Sequence, residues 1–148
     1  MPLAYCLMPT YIRGMYTKTT NHIKVTVLPH YLDQQSEPDE NRYFWAYTVQ
    51  VENHGKETVK LMNRYWHITD GMGRSQEVRG PGVVGEQPVL KPGDAFQYTS
   101  GVPLATPSGI MVGEYEMTLE TGLETGGKIQ VAVPAFSLDS PFGNVKPN

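Results

Sequence analysis

The chain has 148 residues, with 12 Lys and Arg against 15 Asp and Glu for a net charge of −3, and its only cysteine is Cys6. That length makes one domain able to bury its own core; the lone cysteine excludes an intrachain disulfide, and the acidic balance argues against a globally basic nucleic-acid face. With 15 Gly and 12 Pro the composition is rich in turns and poor in long helix-forming runs, which favours a β protein.

The N-terminal stretch MPLAYCLMPTYIRGMY is mildly apolar. It lacks a basic leading region, is broken by Pro9 and is too short to span a bilayer, so residues 1–15 read as a loose arm of a cytoplasmic protein. In HIKVTVL, residues 22 to 28, Ile23, Val25 and Val27 alternate as a half-buried strand requires. DQQSEPDEN, residues 33 to 41, is an acidic loop, and RYFWAYTVQVEN follows as the strongest core strand, with Tyr43, Trp45, Tyr47, Val49 and Val51 on one face. Phe44 has the other parity and is available to cover a sheet face or meet a partner. NHGKE, residues 53 to 57, links this strand to TVKLMNRYWHITD, and the pair reads as a hairpin.

In that second arm Val59 and Leu61 are odd-numbered while Trp66 and Ile68 are even. One extra residue near Asn63, a β-bulge, would return all four to the same face. DGMGR at 70–74 is a tight turn with two glycines free for positive φ, and SQEVRG is a short strand. After the glycine-rich loop come the turn LKPGD, the strand AFQYTSG and the turn TPSG at 106–109. IMVGEYEMTLET places Met111, Tyr115, Met117 and Leu119 on one face; KIQVAVPAFSL closes the series, with Pro134 suited to an edge or bulge. About seven or eight strands without an amphipathic helix predict an all-β antiparallel sandwich of immunoglobulin or fibronectin type III kind.

RGPGVVGEQP, residues 79 to 88, spaces Gly80, Gly82 and Gly85 as G-x-G-x-x-G. A dinucleotide site needs a buried parallel strand before these glycines and a helix N-terminus after them to receive the pyrophosphate. The preceding GRSQEVR is too polar, and Pro88 and Pro92 forbid the helix, so the Rossmann reading fails. Glycines that permit tight loop geometry are the simplest account. A second account is an anion site without a helix, in which amides of Gly80, Gly82 and Gly85 approach a phosphate held by Arg74 and Arg79.

The four histidines, His22, His30, His54 and His67, show no metal-ligand spacing, and Asp33, Glu37, Asp39 and Glu40 lack the ordered oxygen positions of a cation loop. No metal or cofactor is expected. Cys6 has no catalytic partner pattern, and Ser100 and Ser108, beside glycines, read as turn formers rather than nucleophiles, so no catalytic residue is assigned. Sandwich edges leave open the pairing of two copies as a homodimer.

The segment RYWHITDGMGRSQEVRGPGVVGEQPVLKPGDAFQYTSGVPLATPSGIMVGEYEM, residues 64 to 117, together with the closing PAFSL, resembles the ApaG family. The resemblance extends over residues 16–140 as one domain and leaves the arm and a tail, 141–148, outside it. It implies an immunoglobulin or fibronectin type III-like sandwich and carries no catalytic residues over. Bacterial members are linked genetically to cobalt resistance and magnesium efflux, and the domain occurs in eukaryotic F-box and polymerase-interacting proteins as an interaction module. Met72, Tyr65 and His67 depart from residues common in the family, which puts a family-wide metal role for His67 in doubt. The expected function is therefore a non-catalytic binding module tied to divalent-cation homeostasis, with an unidentified protein partner and a phosphate-like anion at the glycine loop. The alternative is an enzyme or binder acting on a nucleotide polyphosphate, prompted by the family's genomic association with diadenosine tetraphosphate hydrolase.

Overall fold

The computed structural model describes residues 14–142, which form two antiparallel sheets. The first sheet runs β1 (Tyr16–Thr20), β2 (Ile23–Tyr31), β3 (Tyr43–Asn53), β7 (Ala95–Leu104) in spatial order. The second runs β5 (Ser75–Pro81), β4 (Val59–Asp70), β8 (Ser108–Leu119), β9 (Lys128–Asp139), with the two-residue β6 (Val89–Leu90) also paired to β4. A short 3₁₀ turn at Pro38–Glu40 stands in the acidic loop, and among the described residues there is no α-helix. No helix there is long and apolar enough to cross a membrane. Among the described residues the strands number nine, where about seven or eight were expected. The additional ones are YTKTT, whose polar residues hide its period, and β6, too short to show one.

Alternation along each strand builds the core. Val25, Val27, Trp45, Tyr47, Val49 and Val51 from the first sheet meet Leu61, Trp66, Met111, Tyr115, Val131 and Phe136 from the second, all buried. Trp66 sits at the centre, its ring edge-on to Tyr47, Tyr115 and Phe136 at centroid distances of 5.4, 6.5 and 6.0 Å. The indole N–H of Trp45 is satisfied by the carbonyl of Asp139 at 2.8 Å.

The expected bulge is present: the β4–β8 register shifts between Leu61 and Asn63, so Met62 is the extra residue and Leu61, Trp66 and Ile68 all point inward. Pro134 lies in a second irregularity, where the β8–β9 register slips between Met111 and Gly113, on the edge strand of its sheet.

The hairpin expected between β3 and β4 is not formed. Both edges of β3 are taken, by β2 and β7, and the chain crosses to the other sheet through NHGKE. Asn53 shapes the crossing: its side-chain nitrogen donates to the carbonyls of Glu57 at 2.8 Å and Leu90 at 3.0 Å, and its oxygen accepts from the Gly55 amide. TPSG likewise carries the chain between sheets, from β7 to β8. Thr106 Oγ1 there accepts from the Gly71 amide and donates to the Ser108 carbonyl, each at 2.8 Å, locking this corner to the DGMGR turn. In that turn only Gly73 takes positive φ, at 82°. Ser100 is not in a turn but in mid-β7 opposite Tyr47, and Ser108 opens β8.

Candidate groove on the outer face of the second sheet

The bulge at Met62 decides which side chains of β4 look outward. Beyond it Asn63, Tyr65 and His67 line the outer face, while Arg64 shares the inward parity of Trp66 and Ile68. Register then sets two rows across the sheet. Arg79, Tyr65 and Glu114 form one, and Asn63, Glu116 and Gln130 the next. These rows bound a groove of about 540 Å³ that reaches Gly80 and Pro81 at the start of the glycine loop.

Polar contacts organise the groove. The Arg79 guanidinium lies over the Tyr65 ring at 4.2 Å from its centroid, a cation–π contact, and 3.7 Å from Glu77 Oε1. Glu116 accepts from Asn63 at 2.9 Å and from Gln130 at 3.4 Å. The Asn63 bond foremost, then Lys128, holds the Glu116 carboxyl below its usual range, so it is charged at neutral pH. Burial and the neighbouring Glu77 push the Tyr65 phenol up, and it stays neutral. Further along the same face Ile110 and Val112 are 51% and 41% exposed, so a polar hollow adjoins an apolar strip.

The glycine loop itself is organised around Arg64. Its Nη1 donates to the carbonyls of Pro81 and Gly82, both at 3.0 Å. A side chain at Gly80 would press on this guanidinium at 3.1 Å, and one at Gly82, where φ is +59°, would collide with the Glu86 carbonyl. Val83 and Glu86 exchange backbone bonds at 2.8 and 2.9 Å around Val84 and Gly85, whose φ values of 42° and 82° have the signs of a type I′ turn. The loop thus turns carbonyls toward a cation of its own chain. The amides of Gly82, Val83 and Glu86 are already bonded, to Met62, Glu86 and Val83.

The five residues expected to hold an anion are not brought together. Arg74 stands in the turn just before β5 and Arg79 five residues further on, about 16 Å away at a strand rise of about 3.3 Å per residue. Arg74 is paired with Asp70 at 2.8 Å beside a different hollow, of about 550 Å³, lined by Gly71, Met72 and Thr106. Arg79 alone of the two borders the groove. His22 and His54 meet through a backbone bond, the His54 amide donating to the His22 carbonyl at 2.9 Å, but among the described residues no three His, Cys, Asp or Glu side chains converge to hold a metal ion. Cys6 lies outside the described residues. No sequence motif marks Arg64, Tyr65, Glu114, Glu116 or Gln130; the parity break at residues 62 to 65 bears only on which of Arg64 and Tyr65 faces outward.

Fold and groove define a two-sheet β domain with a polar groove beside a glycine-rich loop. The sequence profile of the ApaG domain matches residues 33–119. Protein ApaG of Rhodospirillum centenum is 60% identical over 134 residues, covering 90% of this chain and all of that protein, and Protein ApaG of Paramagnetospirillum magneticum is 61% identical over 127 residues, covering 86% and 95%. A crystal structure from Bordetella pertussis, 44% identical, superposes with a TM-score of 0.75 over 84% of this chain and 95% of that one. The chain belongs to the ApaG family.

Proposed function

We propose that this protein is a non-catalytic cytoplasmic interaction module acting in divalent-cation homeostasis, and that it meets a protein partner through the outer face of the second sheet. The observation that carries the reading is the junction on that face of a charged groove, with Arg79 stacked on Tyr65 beside Glu114 and Glu116, and the exposed strip of Ile110 and Val112. Aromatic and arginine anchors next to exposed apolar surface are the composition of contact surfaces. Glu116, held in its charged form by Asn63, is suited to a fixed ionic contact rather than to proton transfer. The link to cobalt and magnesium rests on the family resemblance.

Complementation tests this. Cells lacking the gene are expected to regain cobalt tolerance with the wild-type chain and not with Tyr65→Ser or Glu114→Arg variants that melt like wild type. Full rescue by both folded variants would remove the groove from the function. Turnover of a diadenosine polyphosphate by purified protein would instead establish the enzymatic alternative.

A further inference from the structure

We propose that the protein forms a two-fold homodimer by antiparallel pairing of β5 with β5 of a second copy, centred on Val78. The inference does not depend on the reading of the groove.

The four sheet edges are not equivalent. On one side of the sandwich the chain covers itself: β1 packs along β9, where Thr20 Oγ1 accepts from the Ala132 amide, Tyr16 OH from the Ser137 amide, and Asn21 Nδ2 donates to the Gln130 carbonyl, at 3.0 to 3.3 Å. On the other side lie β7, which carries Pro103 and so lacks one donor, and β5. β5 pairs only with β4, runs seven residues without lysine, and has its one proline at the last position, Pro81. It is also exposed on both faces, every residue but Gly80 being open to solvent, with Val78 36% exposed. Such an edge, without lysine and with its proline confined to the last position, is a template for another strand.

The sequence of β5 is its own complement. In SQEVRGP an antiparallel partner with the same sequence, centred on Val78, places Val78 opposite Val78, Gln76 opposite Gly80, and Glu77 opposite Arg79 twice over. Residues 77 and 79 share the outer face, so both ion pairs form on one side of the joined sheet, while the two valines cover each other on the inner side. Within one protomer Glu77 and Arg79 already lie 3.7 Å apart, so two-fold pairing creates a cluster of alternating charge with Tyr65 beneath each arginine. A two-fold contact must be self-complementary in this sense. The joined sheet has the two grooves side by side across the axis.

Sedimentation equilibrium from low micromolar to millimolar protein tests the pairing, because a single-strand edge contact is small and its dimer is weak. Wild type is expected to show a monomer–dimer equilibrium. Glu77→Arg and Arg79→Glu each place like charges opposite one another twice and should raise the dissociation constant by about tenfold or more; both side chains are exposed, at 55% and 71%, so the monomer fold, followed by circular dichroism, is expected to hold. Mixed in equal amounts, the two variants present complementary pairs throughout and should recover dimer as the heterodimer. Wild type that stays monomeric over the whole range, reversals that dimerise as well as wild type, or a mixture that fails to recover dimer would each overturn the proposal.

Discussion

Arg64 reaches from β4 to the carbonyl oxygen of Gly82, 3.0 Å away across 18 positions of sequence, and ties the glycine loop to the sheet. A second bond to Pro81 makes the contact a clamp. Arg64→Met keeps the apolar stem and removes both bonds, and should cost about 1–2 kcal/mol, toward the low side for hydrogen bonds to a charged donor because the loop carbonyls can turn to water. The more specific signature is local. Amide exchange at Gly82, Val83 and Glu86 should accelerate strongly while amides of β3 and β8 keep their protection; uniform acceleration would mean that Arg64 supports the fold generally and not the loop.

Val84 is a β-branched residue at φ 42° and is 52% exposed, so burial contributes little to offset its left-handed backbone. The two-residue turn it forms with Gly85 favours Asn at that position. Val84→Asn should stabilise the protein by about 1 kcal/mol, the penalty of an ordinary residue in that conformation, read as a rise in the unfolding midpoint. A lowered midpoint would show that the Val84 side chain has a packing role outweighing its strain.

Much of this architecture was legible in the sequence because strands carry a period of two that survives without context. The run from Tyr43 to Val51 and the parity break around Asn63 both marked real features, a core strand and the bulge at Met62. Pairing was less legible. NHGKE has hairpin chemistry, but a turn sequence does not say whether the next strand joins the same sheet or the facing one, and β3 had no free edge to offer. The groove was hidden for a related reason: Tyr65, Glu114 and Gln130 are neighbours only through register across β4, β8 and β9. Arg74 and Arg79 are close in sequence, yet extended backbone carries Arg79 away from the turn that holds Arg74.

Asp70 closes the β4–β5 turn, accepting from the amides of Met72 and Arg74 at 2.9 and 3.0 Å and from Arg74 Nε at 2.8 Å. Partial burial pushes its carboxyl up, but the Arg74 and Met72 amides and the Arg74 guanidinium together outweigh it and leave the group below its ordinary value. The carboxylate therefore binds its proton less readily folded than unfolded. Its stabilising effect is in full force above the ordinary Asp value, near 4, and is lost as pH falls through the lowered folded value. Wild type should be more stable than Asp70→Asn at neutral pH, with the gap closing as pH drops below about 4. A gap independent of pH would mean that shape, not charge, holds the turn.

The hydroxyls of Tyr98 and Tyr115 share a hydrogen bond inside the core, with Tyr47 nearby. Burial dominates all three and raises their phenols above the ordinary value near 10, most for Tyr98 and Tyr115; the Arg64 guanidinium pulls the other way without reversing the shift. Because the folded state holds these protons more tightly than the unfolded chain, their linkage favours folding fully below pH about 10 and fades as pH climbs toward the raised values. Of the nine tyrosines, this pair should stay silent in an ultraviolet titration until the far-ultraviolet circular dichroism of the sheets is lost, and the two events should coincide. Tyr98→Phe removes one of the silent phenols but strands the Tyr115 hydroxyl in the core, at a cost of about 1–3 kcal/mol for a buried group without a partner. Complete and reversible titration of all the tyrosines near pH 10 with the sheets intact would show that water reaches the pair, and that the core around Arg64 opens far more readily than its packing indicates.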